Sequence, residues 1–124
     1  MGWVNEFWRI KKKNKKLWFK NRKLYDELSK TRKGEIIGRQ LLRSGTSVGA
    51  NYGAACRAKS DADFIYKIEI VEEESDESAF WLELISESNI LGMGKLESLL
   101  KEANELTAIF TSSGKTVKQR IKKY

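Results

Sequence analysis

Apolar side chains recur every three to four residues along most of the chain, which is the spacing of one face of an α-helix. In residues 3–31 two asparagines, Asn14 and Asn21, fall in the same register and interrupt the apolar stripe. The apolar members of that stripe are Trp3, Phe7, Ile10, Leu17, Leu24 and Leu28. The pattern predicts a long amphipathic helix with two polar positions in its seam, and Gly34 is predicted to end it.

The same spacing predicts three further helices. The second covers residues 35–57, with inward positions at Ile37, Leu41, Ser44, Val48, Asn51 and Ala55. The third covers residues 61–89, where Ser60 supplies the N-cap and Asp63 completes a capping box. Its seam consists of Phe64, Ile68, Val71, Ser75, Ser78, Leu82 and Ile85. The fourth covers residues 95–121, with a stripe at Leu96, Leu99, Ala103, Leu106, Phe110 and Val117.

One segment, "YKIEIV" at residues 66–71, also alternates with the period of a strand. Helical spacing continues on both sides of it, so the helix is the better interpretation. Four long helices joined by short turns predict an all-α fold, an antiparallel up-down-up-down four-helix bundle, in a single domain over residues 1–124.

Residues 41–60, "LLRSGTSVGANYGAACRAKS", contain Gly45, Gly49 and Gly53 at intervals of four. The end of the stretch is one residue away from a phosphate-binding loop pattern, but Ala58 stands where that pattern needs its second glycine. Spacing of four places the glycines on one face of a helix, where each costs about 1 kcal/mol relative to alanine. We therefore expect a neighbouring helix to approach closely along this face.

Composition excludes several classes of function. Histidine is absent and Cys56 is the only cysteine, so an intrachain disulfide, the usual zinc sites and histidine-assisted nucleophilic catalysis are not available. Cys56 lies among small residues and is interpreted as a packing residue rather than a nucleophile. We expect no cofactor, no resident metal and no enzymatic activity. No apolar run approaches the length of a membrane span or a signal peptide core, so a cytoplasmic protein without membrane association is expected.

Charge is distributed unevenly along the chain. Residues 1–60 hold 16 Lys/Arg against 4 Asp/Glu, whereas residues 61–124 hold 8 against 13. A basic first half predicts a polyanionic partner such as RNA or DNA. The candidate nucleic-acid-binding residues are Lys11, Lys12, Lys13, Lys15, Lys16, Lys20, Arg22, Lys23, Arg39, Arg57 and Lys59.

Two points about these cations stay open at the level of sequence. The lysines surround Trp18 and Phe19, which could stack on unpaired bases or could equally lie in the core beneath a solvated helix face. Arg43 could extend the basic surface, but an internal ion pair with Glu74 or Glu77 is the slightly better interpretation.

The third helix has a second apolar set, Ile70, Phe80, Trp81 and Leu84, away from its seam. A helix that is apolar on two faces is usually buried on two faces, which favours a subunit interface. Six acids lie between Glu69 and Glu77. They could bind magnesium, but a solvated or subunit-pairing surface is favoured.

Three segments, "RQLLRSGTSVGANYGAA", "KSDADFIYKIEI" and "EESDESAFWLELISESN", resemble the four-helix-bundle proteins encoded in intervening sequences of bacterial 23S ribosomal RNA genes. The resemblance covers roughly residues 24–113, and residues 1–20 match the pattern poorly. The residues that match the motifs are Gln40, Arg43, Ser44, Ser47, Gly49, Asn51, Glu74, Glu77, Trp81 and Leu82. Where the family commonly has a glutamate after the asparagine, this chain has Gly53 and Ala54.

The resemblance implies an antiparallel four-helix bundle that assembles into a homo-oligomeric, pentameric ring. It also extends to the accessory variability determinant of diversity-generating retroelements, which implies RNA binding through basic surfaces and a reverse transcriptase as partner. We assign Arg43, Ser44, Asn51, Glu74, Glu77, Phe80 and Trp81 a structural or oligomer-forming role. The leading hypothesis is a non-enzymatic RNA-binding module, and the alternative is a protein-binding oligomeric scaffold without a direct RNA role.

Overall fold

The computed structural model describes residues 2–91 and 94–122, with side chains from residue 6 to 91 and from 96 to 122. It contains four α-helices: α1 Gly2–Leu28, α2 Arg32–Cys56, α3 Asp61–Glu87 and α4 Gly94–Lys122. No strand occurs in the described ranges, and residues 66–71 are helical. Each helix packs against the next one along the chain, and α1 closes against α4, as expected of a four-helix bundle. The predicted core position Trp3 lies outside the described side chains.

The turn between α1 and α2 differs from the prediction. Gly34 does not end the first helix but lies in the first turn of α2, where its N–H donates to the N-cap hydroxyl of Thr31 at 3.1 Å. The helices end and begin near Leu28 and Arg32, rather than near residues 31 and 35, because Thr31 caps the new helix. A Cβ on Gly34 would collide with the carbonyl oxygen of Leu28. The glycine is therefore required by close backbone contact at this turn.

The turn between α2 and α3 matches the prediction at Ser60, whose hydroxyl accepts the backbone N–H of Asp63 at 3.1 Å. The carboxylate of Asp63 does not bond back to Ser60, as a full capping box would require, but accepts the N–H of Lys59 at 3.1 Å. Hydrogen bonding from Lys67, together with the Lys59 N–H, lowers the pKa of Asp63. The first turn of α3 is thus fixed by two side chains.

The core consists of two apolar clusters along the bundle axis. One contains Leu24, Leu28, Leu41, Leu82, Ile85 and Leu96, and the other contains Ile10, Val48, Tyr52, Ile68, Val71, Leu106 and Phe110. Tyr52 is fully buried and packs against Phe7 and Phe110, a core position that the helical pattern missed. Asn51, predicted to face inward, is half-buried and donates to Ser47 of its own helix.

Polar side chains are also buried in the core, as the seam pattern predicted. Asn14, Asn21, Ser44, Ser75 and Ser78 are all buried. Ser78 donates to Ser44 across α2 and α3 at 2.8 Å, and the hydroxyls of Ser75 and Thr107 lie 2.6 Å apart across α3 and α4. Because a buried hydroxyl is stable only when bonded, these pairs restrict how the helices align.

The predicted close approach at Gly45, Gly49 and Gly53 is wrong. A Cβ built on Gly49 would meet nothing within 4 Å, and one on Gly45 would meet only Cδ1 of Trp18, at 3.7 Å. Close contacts occur instead at Gly38, where a Cβ would lie 2.7 Å from Cδ2 of Tyr25. The spacing correctly places the three glycines on one face, but that face is open.

Arg43 joins α2 to α3 at the protein surface. Its guanidinium is bonded to the carboxylate of Glu77 and lies 3.4 Å from Glu74, so the predicted internal ion pair is present. Hydrogen bonding to Arg43 is the main cause that lowers the pKa of Glu77, and the Trp81 side chain acts in the same direction. Desolvation is the main cause that raises the pKa of Glu74. Glu77 is therefore the stronger partner of Arg43.

The two kinds of glycine give opposite predictions for alanine substitution. Gly34→Ala should lower the free energy of unfolding by about 1–3 kcal/mol, because the new methyl group has no space against Leu28. Gly49→Ala should raise it by about 1 kcal/mol, because the methyl group enters open space and alanine favours the helix. Urea unfolding followed by circular dichroism measures both, and changes of the same sign would contradict this account.

The Arg43 ion pair makes stability depend on pH. Glu77→Gln should lower the free energy of unfolding at pH 7 by less than about 1 kcal/mol, because the pair is partly exposed. The folded-state pKa of Glu77 is depressed, so its contribution is present above the ordinary value of 4.5 and is lost as the pH falls through the folded value. The difference in the free energy of unfolding between the wild type and Glu77→Gln should therefore shrink as the pH falls from about 5 to about 3.

Urea titrations across this pH range measure that difference. Glu73→Gln, which removes an exposed carboxylate from the same helix, is the matched control. If the free energy of unfolding of Glu77→Gln stays below that of the wild type by the same amount at every pH, the ion pair is not the origin of the difference.

Candidate nucleic-acid interface

The side of α1 that points away from the bundle combines aromatic rings with lysines. Trp8 is 64% exposed and Phe19 is 61% exposed, although large aromatic side chains are normally covered. Between and beside them lie Lys12, Lys16 and Lys23, all exposed. We call these five residues the outer face of α1. The interpretation that placed Phe19 in the core is wrong, whereas Trp18 is half-buried.

The rings of this face are held in defined positions. The ammonium group of Lys12 lies 4.6 Å from the ring centroid of Trp8, within the range of a cation–π contact. Phe19 stands edge-to-face against Trp18, with the ring centroids 5.2 Å apart. Both exposed rings therefore have a neighbour that orients them.

Other predicted cations are engaged with carboxylates. Lys20 lies 2.7 Å from Glu102 of α4, and Lys13 lies 3.8 Å from Glu105. Arg22 is paired with Asp26 one turn later on α1. These three cations help to hold α1 or to balance its own acids, so their net field toward a polyanion is smaller than that of the outer face.

The predicted cations of α2 lie at its two ends. Arg39 pairs with Glu35 at 2.6 Å near the α1–α2 turn, whereas Arg57 and Lys59 lie at the α2–α3 turn. Eighteen residues of helix separate Arg39 from Arg57, about 27 Å. Arg57 and Lys59 join Lys11 around a cavity of about 780 Å³, so the structure groups these three and leaves Arg39 apart.

That cavity, at the end of the bundle, is walled by Phe7, Phe64 and Val117. Cys56 also lines it and is half-buried, and burial is the main cause that raises the pKa of its thiol. A protonated thiol is a poor nucleophile, which agrees with the packing role inferred for Cys56. In the part of the chain that the structure describes, no three His, Cys, Asp or Glu side chains form a group that could hold a metal ion.

A second opening lies between α1 and α2 and has a volume of about 340 Å³. We call it the α1–α2 groove. Lys11, Asn14, Lys15 and Trp18 of α1 form one wall, and Gly45, Thr46, Gly49 and Gly53 of α2 form the other. The indole N–H of Trp18 donates to the hydroxyl of Thr46 at 2.8 Å across the two helices.

The second apolar set of α3 is only partly covered. Phe80 is 51% exposed and stacks edge-to-face on Trp81, which is half-buried, as are Ile70 and Leu84. Tyr66 on the same helix is also exposed. Several of the neighbouring acids already have partners. Glu69 pairs with Lys118 at 2.8 Å, Glu72 accepts from Thr111 at 3.3 Å, and Glu74 and Glu77 face Arg43.

The sequence analysis did not identify Trp8 as a ring that could stack on bases; for that role it considered only Trp18 and Phe19. Its spacing could have identified it, because Trp8 precedes Lys12 by four residues and Phe19 by eleven, which are intervals of one helical face. Asn14 was assigned to the seam, and its position beside the groove depends on how α1 packs on α2.

Comparison with known proteins supports the fold and the family. Residues 7–112 match the family model described as 23S rRNA-intervening sequence protein, so the match includes most of the basic stretch that the motif resemblance left out. No curated protein matches the chain. None of the described helices is long and apolar enough to cross a membrane.

A solved structure from Bacteroides thetaiotaomicron VPI-5482 is similar to this chain. It is a protein of unknown function from the S23 ribosomal protein family, 34% identical, with a TM-score of 0.79. The similarity covers 86% of this chain and 98% of that one. The family model matches well over half of the present chain, so this chain belongs to the 23S rRNA-intervening sequence protein family.

Proposed function

We propose that this protein is a non-enzymatic RNA-binding module and that the outer face of α1 is its main contact surface. The observation that carries the proposal is the pair of exposed rings, Trp8 and Phe19, set among Lys12, Lys16 and Lys23. Lysines neutralise phosphates and release counterions, and exposed rings stack on unpaired bases. A solvated lysine face alone would give no reason for the two exposed aromatic side chains.

The charge of the whole chain supports the same partner. The formal net charge is +7, and the excess of cations lies in the first half of the chain. Positive potential on one side of a small bundle would attract a polyanion and raise the association rate, and added salt would screen this attraction. We propose RNA rather than duplex DNA as the ligand, because stacking requires bases that are not already paired.

We also propose that the protein works as a homo-oligomer, with a pentameric ring as the form that the family resemblance implies. The exposed Phe80, beside the half-buried Trp81, Ile70 and Leu84, is a surface that a second subunit could cover. Several copies on one particle would bind a long RNA more tightly than one copy does, without any new contact. Assistance to a reverse transcriptase rests on the resemblance alone and is proposed only as a biological setting.

Charge reversal tests the outer face. A triple variant with Lys12, Lys16 and Lys23 changed to glutamate should weaken binding to a labelled single-stranded RNA by more than tenfold. The slope of log affinity against log salt should also fall in magnitude by about 2, since each lost phosphate contact contributes about 0.7 on a single strand. Fluorescence anisotropy between about 50 and 200 mM salt measures both quantities.

The control variant reverses Lys101, Lys115 and Lys122, three exposed cations of α4, and so changes the net charge equally. It should retain most of the affinity. Equal losses of RNA affinity in the two triple variants would show that only the net charge of the protein matters, not the position of the lysines. Salt-independent binding by the wild type, or none, would contradict RNA binding and favour the protein-scaffold alternative.

Removing the exposed rings tests stacking separately from charge. Trp8→Ala and Phe19→Ala should each weaken single-stranded RNA binding by about 5- to 150-fold, the range that corresponds to one stacked base. The salt slope should stay unchanged, because no phosphate contact is lost. Tyr66→Ala, which removes an exposed ring from α3, is the matched control. Unchanged affinity in both ring variants would show that the exposed aromatics do not stack on RNA.

A further inference from the structure

We propose that the cavity at the end of the bundle, which we call the end cavity, holds one unpaired nucleotide of the bound RNA. The base of that nucleotide would lie against the apolar walls and its phosphate among the cations. This inference rests on the proposed function and adds to it a separate site for a single nucleotide. The end cavity has a volume of about 780 Å³, within the range of roughly 300–1,000 Å³ that is typical of sites for small ligands. It is therefore large enough for a base together with its sugar and phosphate.

Aromatic rings from two helices form the walls of the end cavity. Phe7 of α1 and Phe64 of α3 are both half-buried, and Trp8 of α1 is exposed. The buried Ala55 and Val117 add apolar surface from α2 and α4, so all four helices contribute. Aromatic rings around an open space offer surfaces on which an unpaired base can stack.

Three cations from separate elements meet at the end cavity. They are Lys11 of α1, Arg57 at the C-terminal end of α2, and Lys59 in the turn that follows. None of the three side chains forms an ion pair with a carboxylate in the described part of the chain. Asp63, which accepts the backbone N–H of Lys59, is paired with Lys67 at 2.9 Å. An anionic ligand would therefore find cations that are not already neutralised.

The two carboxylates that line the end cavity are already paired. Glu6 lies 2.6 Å from Arg9, and Asp61 lies 2.8 Å from Arg120. The charge that remains at the cavity is positive, and lysine and arginine are the side chains that neutralise phosphates. Phosphate is therefore the polar group that this cavity selects.

The positive potential converges on Cys56, which also lines the end cavity. Burial is the main cause that raises the pKa of its thiol, and the charges of Lys11 and Arg57 act in the opposite direction. Both cations thus act at one point of the wall, although they belong to different helices. A phosphate near this point would be balanced by two positive charges in a half-buried site, where attraction between charges is stronger than in open solvent.

Trp8 joins the end cavity to the outer face of α1. It lines the cavity, and its ring centroid lies 4.6 Å from the ammonium group of Lys12 on the outer face. A strand with a base stacked on Trp8 and a phosphate beside Lys12 would reach the cavity with its next nucleotide. This continuity favours RNA over an apolar side chain of a second copy, which would leave Lys11 and Arg57 without a counter-charge.

Filling the end cavity without changing its charge tests this inference. The double variant changes Ser112 and Thr116, two polar residues of α4 that line the cavity, to leucine. It should keep the free energy of unfolding of the wild type, because leucine favours a helix. Its affinity for single-stranded RNA should fall by about fivefold or more, as expected when one stacked base is lost. The magnitude of the salt slope should fall by about 0.7, the share of one phosphate contact.

The matched control changes Asn104 and Gln119, two exposed polar residues of α4 outside the end cavity, to leucine. It carries the same added apolar surface on the same helix and should bind RNA like the wild type. An equal loss of affinity in this control would show that filling the cavity is not the cause, and would overturn the inference.

Cys56 gives a second measurement that needs no substitution, because it is the only cysteine of the chain. Saturating single-stranded RNA should slow the alkylation of this thiol by N-ethylmaleimide severalfold. A duplex RNA of the same length should leave the rate nearly unchanged, because its bases are paired and cannot enter the cavity. Equal rates with and without the single strand would overturn the inference. So would protection by adenosine monophosphate but not by RNA, which would assign the cavity to a free nucleotide.

The remaining outcomes separate this inference from the proposed function. Normal RNA binding by the leucine variant of the cavity, together with a loss in the triple variant of the outer face, overturns the end cavity and leaves the proposed function standing. Loss in the cavity variant alone supports the end cavity and overturns the outer face as the main contact. Normal binding by both variants overturns both. A change in the mass of the assembly of the cavity variant, measured by light scattering without RNA, assigns the cavity to a second copy and overturns the inference.

Discussion

Two hydroxyl pairs, a buried one between α2 and α3 and a partly buried one between α3 and α4, help to fix the alignment of the helices on which the other features depend. Ser78 donates to Ser44 at 2.8 Å, and Ser75 lies 2.6 Å from Thr107. Ser44, Ser78 and Thr107 also bond to carbonyl oxygens of their own helices. The buried hydroxyl of Ser75 has its partner only in Thr107, and a buried hydroxyl that loses its partner costs about 1–3 kcal/mol. A one-turn slip of α3 would break both pairs at once. The same alignment places Arg43, the neighbour of Ser44, opposite Glu74 and Glu77.

The first helix is held differently. No hydroxyl pair of this kind joins α1 to its neighbours in the described ranges. Its polar links are nearer the surface, such as Trp18 to Thr46 and Lys20 to Glu102. The buried asparagines of α1 leave Asn14 Nδ2 and Asn21 Oδ1 unpaired within the described part of the chain. The helix with the least internal polar pairing is thus the one with the basic face and the open groove.

Sequence reasoning predicted the four helices and the buried polar positions, because helical spacing depends only on the order of residues. It also paired Arg43 with Glu74 or Glu77, since adjacent antiparallel helices bring opposite charges together. It failed where the answer depends on which element lies opposite a face. Gly49 and Gly38 look alike in sequence, yet one faces open space and the other faces Tyr25. The sequence could not tell whether Trp18 and Phe19 lie in the core or at the surface. In the structure Trp18 turns toward α2, whereas Phe19 turns outward.

The features of α1 and of the adjoining face of α2 share one property, which is that they lower the stability of the bundle or leave it unimproved. Alanine at Gly49 would fit and would favour the helix, and a polar residue at Trp8 or Phe19 would remove exposed apolar surface. Most proteins agree with local rules of stability except at sites where function requires otherwise. Elsewhere in the described chain, glycine is used at Gly34 and Gly38 because neighbouring atoms leave no room. Trp8, Phe19 and Gly49 are departures of this kind on adjoining surfaces of α1 and α2, and the proposed binding role would explain these three together. Tyr66 and Phe80 are exposed rings on α3, so the departures are not confined to α1.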